Sequence, residues 1–122
     1  MADATFYWLP GCSTCKKAKS HIERHGLRDF EPRDIKEHPL SRREVEELAG
    51  LLGGANELFS RRAIKYRELK LGGRELSDAE MIDLMAEEYT FLKRPILVYK
   101  GKAIAGFFEK FWNQFLEENY YQ

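Results

Sequence analysis

Two cysteines separated by two residues, in Cys12-Ser13-Thr14-Cys15, are the residues of this chain best suited to covalent chemistry. They follow the apolar run Phe6-Tyr7-Trp8-Leu9 and the breaker Pro10-Gly11, and a helix-patterned segment comes after them. Cys12 therefore falls at a strand-to-helix junction and Cys15 in the first helical turn. Unpaired amides and the positive end of the helix dipole favour an anion at such a junction. Lys16 and Lys17 add positive charge nearby. A thiol placed there is expected to ionise below its free value and to act as a nucleophile. Cys15, on the core-facing stripe, is placed to attack a mixed disulfide formed on Cys12. The hydroxyls of Ser13 and Thr14 are candidates to steady the thiolate or a bound oxyanion. A Cys-x-x-Cys that ends a strand and opens a helix in a β-α-β context is a redox signature.

Zinc is the competing chemistry, because Cys12, Cys15, His21 and His25 resemble the ligand set of a finger. The spacer argues against it, since such sites usually need about twelve residues between the pairs. At about 100° per residue, His21 points roughly 120° away from Cys15. Both histidines are expected on the helix surface, and no metal is expected.

The elements around the motif follow from periodicity and punctuation. After the strand at Phe6–Leu9, a helix is expected from Ser13 to Arg24 or His25, with Cys15, Ala18 and Ile22 as its apolar stripe and Gly26 as its stop. Leu27–Ile35 reads as a second strand anchored by Phe30 and Ile35, parallel to the first. The middle of the chain is helical. Ser41 with Glu44 and Ser77 with Glu80 are capping boxes ahead of apolar periodic runs, and Gly53-Gly54 and Gly72-Gly73 are breaks. Glu57–Leu71 is mixed. Ile96–Tyr99 and Ala103–Ala105, joined by Lys100-Gly101-Lys102, read as a hairpin. Phe107–Phe115 reads as a final helix whose aromatic residues Phe107, Phe108, Phe111, Trp112 and Phe115 pack in the core. Tyr120-Tyr121 is expected to be tail. The order is β-α-β, a helical block, then β-β-α: an α/β fold.

Composition narrows the setting. At 122 residues, with 43% hydrophobic and 33% charged side chains, one domain with a real core is expected. Twenty basic residues balance twenty acidic ones, so no net field draws the chain to nucleic acid or to a membrane. No targeting segment precedes the first strand and no run approaches membrane-spanning length, so a cytoplasmic protein is expected. In that reducing setting a close cysteine pair is more often chemical than structural.

The segments Tyr7-Trp8-Leu9-Pro10-Gly11-Cys12-Ser13-Thr14-Cys15-Lys16-Lys17-Ala18, Arg33-Asp34-Ile35, Ser60-Arg61-Arg62 and Leu92-Lys93-Arg94-Pro95-Ile96 stand in an order that resembles the arsenate reductase and Spx family. The resemblance implies a thioredoxin-like fold with a mixed sheet, its core over about residues 4–36 and 94–117 and a helical insertion over about 40–90, all one domain. It also implies a cis peptide before Pro95. In the glutaredoxin-coupled reductases one cysteine attacks arsenate while three arginines hold the oxyanion. By the resemblance that cysteine is Cys12, Arg94 is one of the arginines, and Arg62 is another, with Arg61 its one-residue rival. The third position falls on Phe107, which cannot donate to an oxyanion. Those reductases typically have no cysteine where Cys15 stands. The Spx branch has a Cys-x-x-Cys used as a redox switch and a glycine before the arginine segment, which Gly54 matches.

Two functions are implied. One is a reductase in which Cys12 and Cys15 reduce an oxyanion or a disulfide, Arg94 and Arg62 offset negative charge, and Pro95, Ser13 and Thr14 help bind substrate. It has no bound cofactor, and glutathione, glutaredoxin or thioredoxin restores its thiols. The other is an Spx-like redox-sensing regulator that binds the alpha subunit of RNA polymerase without touching nucleic acid itself. A monomer is expected in either case. An inert domain with an unreactive Cys12 ranks last.

Overall fold

The computed structural model describes residues 3–120 and divides into two compact units. The first is formed by Met1–His38 with Arg94–Gln122, the second by Pro39–Lys93.

In the first unit a four-stranded sheet carries the strands β1 (Ala4–Trp8), β2 (Glu31–Asp34), β3 (Ile96–Tyr99) and β4 (Lys102–Ala105), in the order β2-β1-β3-β4. β1 runs parallel to β2 and antiparallel to β3, and β3 is antiparallel to β4. The hairpin turn has positive φ at both central residues, 46° at Lys100 and 81° at Gly101, which matches the twist that a two-residue connection needs. Helix α1 (Ser13–Arg24) follows β1 and ends where Gly26, at φ 95°, lets the Leu27 amide reach back to the Ile22 carbonyl. Helix α6 (Glu109–Asn119) follows β4.

Both helices bury apolar residues in one cluster. Ala18 and Ile22 from α1 meet Trp112 and Leu116 from α6, over Ala4, Phe6, Leu97 and Tyr99 of the sheet. Trp112 is fully buried, and its indole N–H donates to the Gly106 carbonyl at 2.7 Å. This order of elements and strands is a thioredoxin-like fold, as the sequence implied.

The second unit is helical: α2 (Arg42–Leu52), α3 (Ala55–Leu58), α4 (Ile64–Glu68) and α5 (Asp78–Glu87), with short 3-10 turns at Leu71–Gly73 and Tyr89–Phe91. Both expected capping boxes form, Ser41 with Glu44 and Ser77 with Glu80. Gly53, at φ 97°, closes α2. Val45, Leu48, Leu58, Phe59, Met81, Met85 and Phe91 fill the interior, with the Phe59 and Phe91 rings stacked at 5.3 Å.

Several expectations are corrected. The second strand spans only Glu31–Asp34, because its register with β1 begins at Thr5↔Glu31 and the Leu27 amide is spent on the helix cap. The final helix starts at Glu109 rather than Phe107. Gly106 sits at φ 75° and Phe108 is an extended N-cap, so the chain enters the helix two residues late and keeps Leu116 in the core. Phe108 and Phe111 are 65% and 56% exposed, so these two members of the aromatic group are not core residues. Tyr120 is anchored: its hydroxyl donates to the Gly26 carbonyl at 2.9 Å and its ring meets Tyr99. Tyr121 lies outside the described residues.

His21 is also corrected, being buried rather than on the surface. Its ring lies 4.4 Å from His25 and 5.4 Å from Phe107. Burial lowers its pKa below the ordinary value of 6.5, and the neighbouring His25 and Arg24 lower it further, while Asn113 and Glu109 favour the charged form. Below pH 6.5 the unfolded chain then takes up the proton more readily than the folded one. Stability is expected to fall as pH drops through that value toward the depressed native pKa, and His21→Gln to flatten the slope. Urea unfolding across this range checks it; a slope unchanged in His21→Gln contradicts it.

Candidate functional site

Three connections meet at one end of the sheet in the first unit. Because β1 and β4 run in the same direction and β3 opposes both, Leu9–Cys12 leaves β1, Arg94-Pro95 enters β3 and Gly106–Phe108 leaves β4 at that end. The Cys12 amide donates to the Leu9 carbonyl at 2.9 Å, folding the loop so that Cys12 becomes the N-cap of α1. The Arg94-Pro95 peptide is cis. The Gly106 amide donates to the Pro95 carbonyl at 2.8 Å, tying the second and third connections together.

Cys12 is half-buried and Cys15 fully buried, and both are thiols rather than a disulfide. Their acidities are pulled apart. Partial burial raises the Cys12 pKa, but the Cys15 amide, the Cys15 thiol, the Thr14 amide and the Arg94 guanidinium together hold it below the ordinary 9.0. No side-chain bond of full capping geometry forms at Cys12, so the amides act on its sulfur chiefly as dipoles at the helix end. Cys15 is pushed up to about 12, first by burial, then by donating to Cys12 and by the charge on Cys12, against lowering by the Leu9 amide and Arg94. One sulfur is thus prepared to be an anion and its neighbour to keep its proton.

The other expected site residues fall as follows. Ser13 and Thr14 are exposed in the first turn of α1, and Thr14 acts on Cys12 through its backbone amide. Pro95 is buried and Arg94 is half-buried beside it. The charge acting on the Cys12 sulfur is that of Arg94, whereas Lys16 and Lys17, expected to contribute, are exposed. Phe107 packs between His21 and Trp112, with ring centroids 5.4 and 5.3 Å away. Arg62 belongs to the second unit, where it is exposed and its amide donates to the Ser60 hydroxyl, and the neighbouring Arg61 lies over the Phe59 ring. Sequence reasoning passed over the Leu9 amide, since a backbone group carries no residue signature. Among the described residues no cluster of three or more His, Cys, Asp or Glu side chains could hold a metal ion, and no helix is long and apolar enough to cross a membrane.

A thioredoxin-like sheet carrying a Cys-x-x-Cys pair at its first strand-to-helix turn defines the class of this protein. The model of the ArsC family matches residues 7–115, and the chain belongs to that family. It is 37% identical over 119 residues to the uncharacterized protein YusI of Bacillus subtilis, covering 95% of this chain and 97% of that one. It is 31% identical over 117 residues to the global transcriptional regulator Spx of Streptococcus pyogenes, covering 95% and 87%. Among solved structures it is similar to an arsenate reductase from Vibrio cholerae, with a TM-score of 0.76 at 28% identity, covering 84% and 88%.

Iodoacetamide labelling of Cys12 is expected to titrate with a midpoint below 9.0, and Arg94→Met to raise that midpoint, while Cys15 stays unlabelled in the native protein. Mass spectrometry of labelled peptides across pH reads both sites. A wild-type midpoint at or above the free-thiol value contradicts the arrangement.

Proposed function

We propose that this chain is a dithiol reductase whose Cys12 thiolate attacks an oxidised sulfur or an arsenate-like oxyanion and whose Cys15 resolves the adduct. The observation that carries the reading is the placement of two adjacent thiols at the start of a helix, Cys12 half-buried as its N-cap and Cys15 fully buried, which pulls their acidities in opposite directions. With a disulfide substrate, the Cys12 sulfur bonds to one substrate sulfur, the substrate S–S bond breaks, and the departing thiolate takes a proton. Cys15 then loses its proton and attacks the Cys12 sulfur. The second substrate thiol leaves, and the two electrons that reduced the substrate come from forming Cys12–Cys15.

The timing follows from the same electrostatics. While Cys12 is an anion, its charge and the thiol hydrogen bond it accepts hold the Cys15 proton on. Once Cys12 is in a mixed disulfide, both contributions vanish and Cys15 becomes more acidic. The half-buried Arg94 guanidinium, whose charge acts on both sulfurs, is proposed to offset negative charge developing on the substrate. Glutathione, glutaredoxin or thioredoxin is the proposed reductant of the disulfide product.

Steady-state turnover of a glutathione mixed disulfide and of arsenate tests the roles. Cys12→Ser is expected to reduce the rate to background. Cys15→Ser is expected to slow it by about tenfold or more and to leave a substrate adduct on Cys12 visible by mass. Undiminished turnover in Cys12→Ser removes the reading.

A second reading has its own support. Relatives named Spx match 95% of the chain, and Gly54, which precedes α3, sits at φ 145°, a conformation for glycine. In this reading the pair Cys12/Cys15 is a switch, and the chain contacts the RNA polymerase alpha subunit. A pulldown with the purified alpha subunit is expected to retain one redox state of the chain several-fold more than the other. Equal absence of binding in both states rules it out.

A further inference from the structure

In the first unit, Phe108 and Phe111 are the large apolar side chains left exposed among the described residues, at 65% and 56%. Their rings are 6.2 Å apart in an edge-to-face contact, so they present one apolar surface rather than two isolated side chains. They stand on the first turn of α6, which opens at the same end of the sheet as α1 and its N-cap Cys12. That turn is braced from both sides: Gly106 is bonded to the Pro95 carbonyl through its amide and to the Trp112 indole through its own carbonyl. Phe107, immediately before the pair, is packed inward against His21 and Trp112, which leaves Phe108 to face solvent.

Beside the sulfur the surface has the opposite character. The first turn of α1 carries no acidic side chain, and Lys16 and Lys17 are exposed there, whereas the first turn of α6 carries the exposed Glu109 beside the aromatic pair. The same end of the sheet therefore offers the Cys12 sulfur with two lysines on the α1 side, and an apolar aromatic surface flanked by Glu109 on the α6 side. β1 and β4 are two strand spacings apart, about 10 Å, which is the reach of roughly three residues of extended chain. A small oxyanion at Cys12 is too short to span that distance to the aromatic pair, whereas an extended polypeptide held by its cysteine can.

Resting on the dithiol-reductase reading, we propose that the substrate class of Cys12 is a polypeptide disulfide with acidic residues beside the oxidised cysteine, facing Lys16 and Lys17, and an apolar side chain about three residues away that packs on Phe108 and Phe111. The chemistry is the exchange already described: the segment's S–S bond is broken by Cys12, and its sulfur leaves as a thiol when Cys15 closes Cys12–Cys15. The aromatic pair takes no part in the electron flow and acts by holding the segment in place.

The test compares three disulfides on the full chain. One is an acidic peptide whose cysteine is blocked by 2-mercaptoethanol and which carries phenylalanine three residues away. The second is the same peptide with serine at that place, and the third is bis(2-hydroxyethyl) disulfide. The wild type is expected to reduce the phenylalanine peptide about tenfold faster than the serine peptide, and Phe108→Ser/Phe111→Ser to bring that ratio close to one. Phe108→Leu/Phe111→Leu, which keeps an apolar surface, is expected to retain most of the ratio and guards against a merely misfolded variant. A wild-type ratio near one, with the small disulfide still reduced, overturns the docking surface and leaves the reductase reading standing. Failure to reduce any of the three overturns both. Sedimentation of the wild type as a dimer that the serine double substitution dissolves assigns the patch to a second copy of the chain and also overturns the proposal.

Discussion

The Cys12 pKa is held below its ordinary value by the backbone amides that a helix leaves unpaired at its start, by the neighbouring Cys15 thiol and by Arg94, while burial pushes Cys15 the other way. Neither half of that arrangement works alone. Burial drives a thiol toward its neutral form, and at Cys15 burial and the neighbouring Cys12 outweigh the Leu9 amide and the Arg94 guanidinium. Two thiols in equal surroundings would offer no direction to an exchange reaction. Here burial differs across one helical turn, and the difference moves the two acidities apart.

The sheet gives this pair its surroundings. An arginine far away in the chain acts on Cys12 because β3 lies antiparallel to β1, which brings the Arg94-Pro95 connection to the end where β1 hands over to α1. The Gly106 amide and the Trp112 indole then fix the third connection against the second. A fully buried tryptophan on α6 is thus linked through one carbonyl and one amide to the connection that carries Arg94 toward the Cys12 sulfur. The cluster of Phe6, Ala18, Ile22, Leu97, Trp112 and Leu116 holds the two helices and the sheet in register around that junction.

Membership of the ArsC family accommodates both enzymes and regulators, so what separates them in this chain is local chemistry. Phe107 is turned into the packing between α1 and α6, and the residue after it lies open to solvent. Arg61 and Arg62 stand on the second unit with interactions of their own, one over an aromatic ring and one at a hydroxyl.

Local signals were read correctly wherever the cause is local. The serine–glutamate capping boxes, the glycine that ends α1, the tight hairpin and the cysteine pair at a strand-to-helix turn each depend on a few adjacent residues, and each appears where its residues stand. The length of β2, the start of α6, the burial of His21 and the exposure of Phe108 and Phe111 were misread. A strand lasts only as far as its partner accompanies it, and whether a helical residue is covered depends on which element packs against that face. By itself, then, the sequence determined the order of elements and the presence of a Cys-x-x-Cys pair at a strand-to-helix turn, since propensity, capping and spacing are properties of neighbours. Only the tertiary structure decided that Arg94, rather than the adjacent lysines, supplies the charge at that sulfur and that burial keeps Cys15 protonated, because both effects depend on distance and solvent access between segments far apart in the chain.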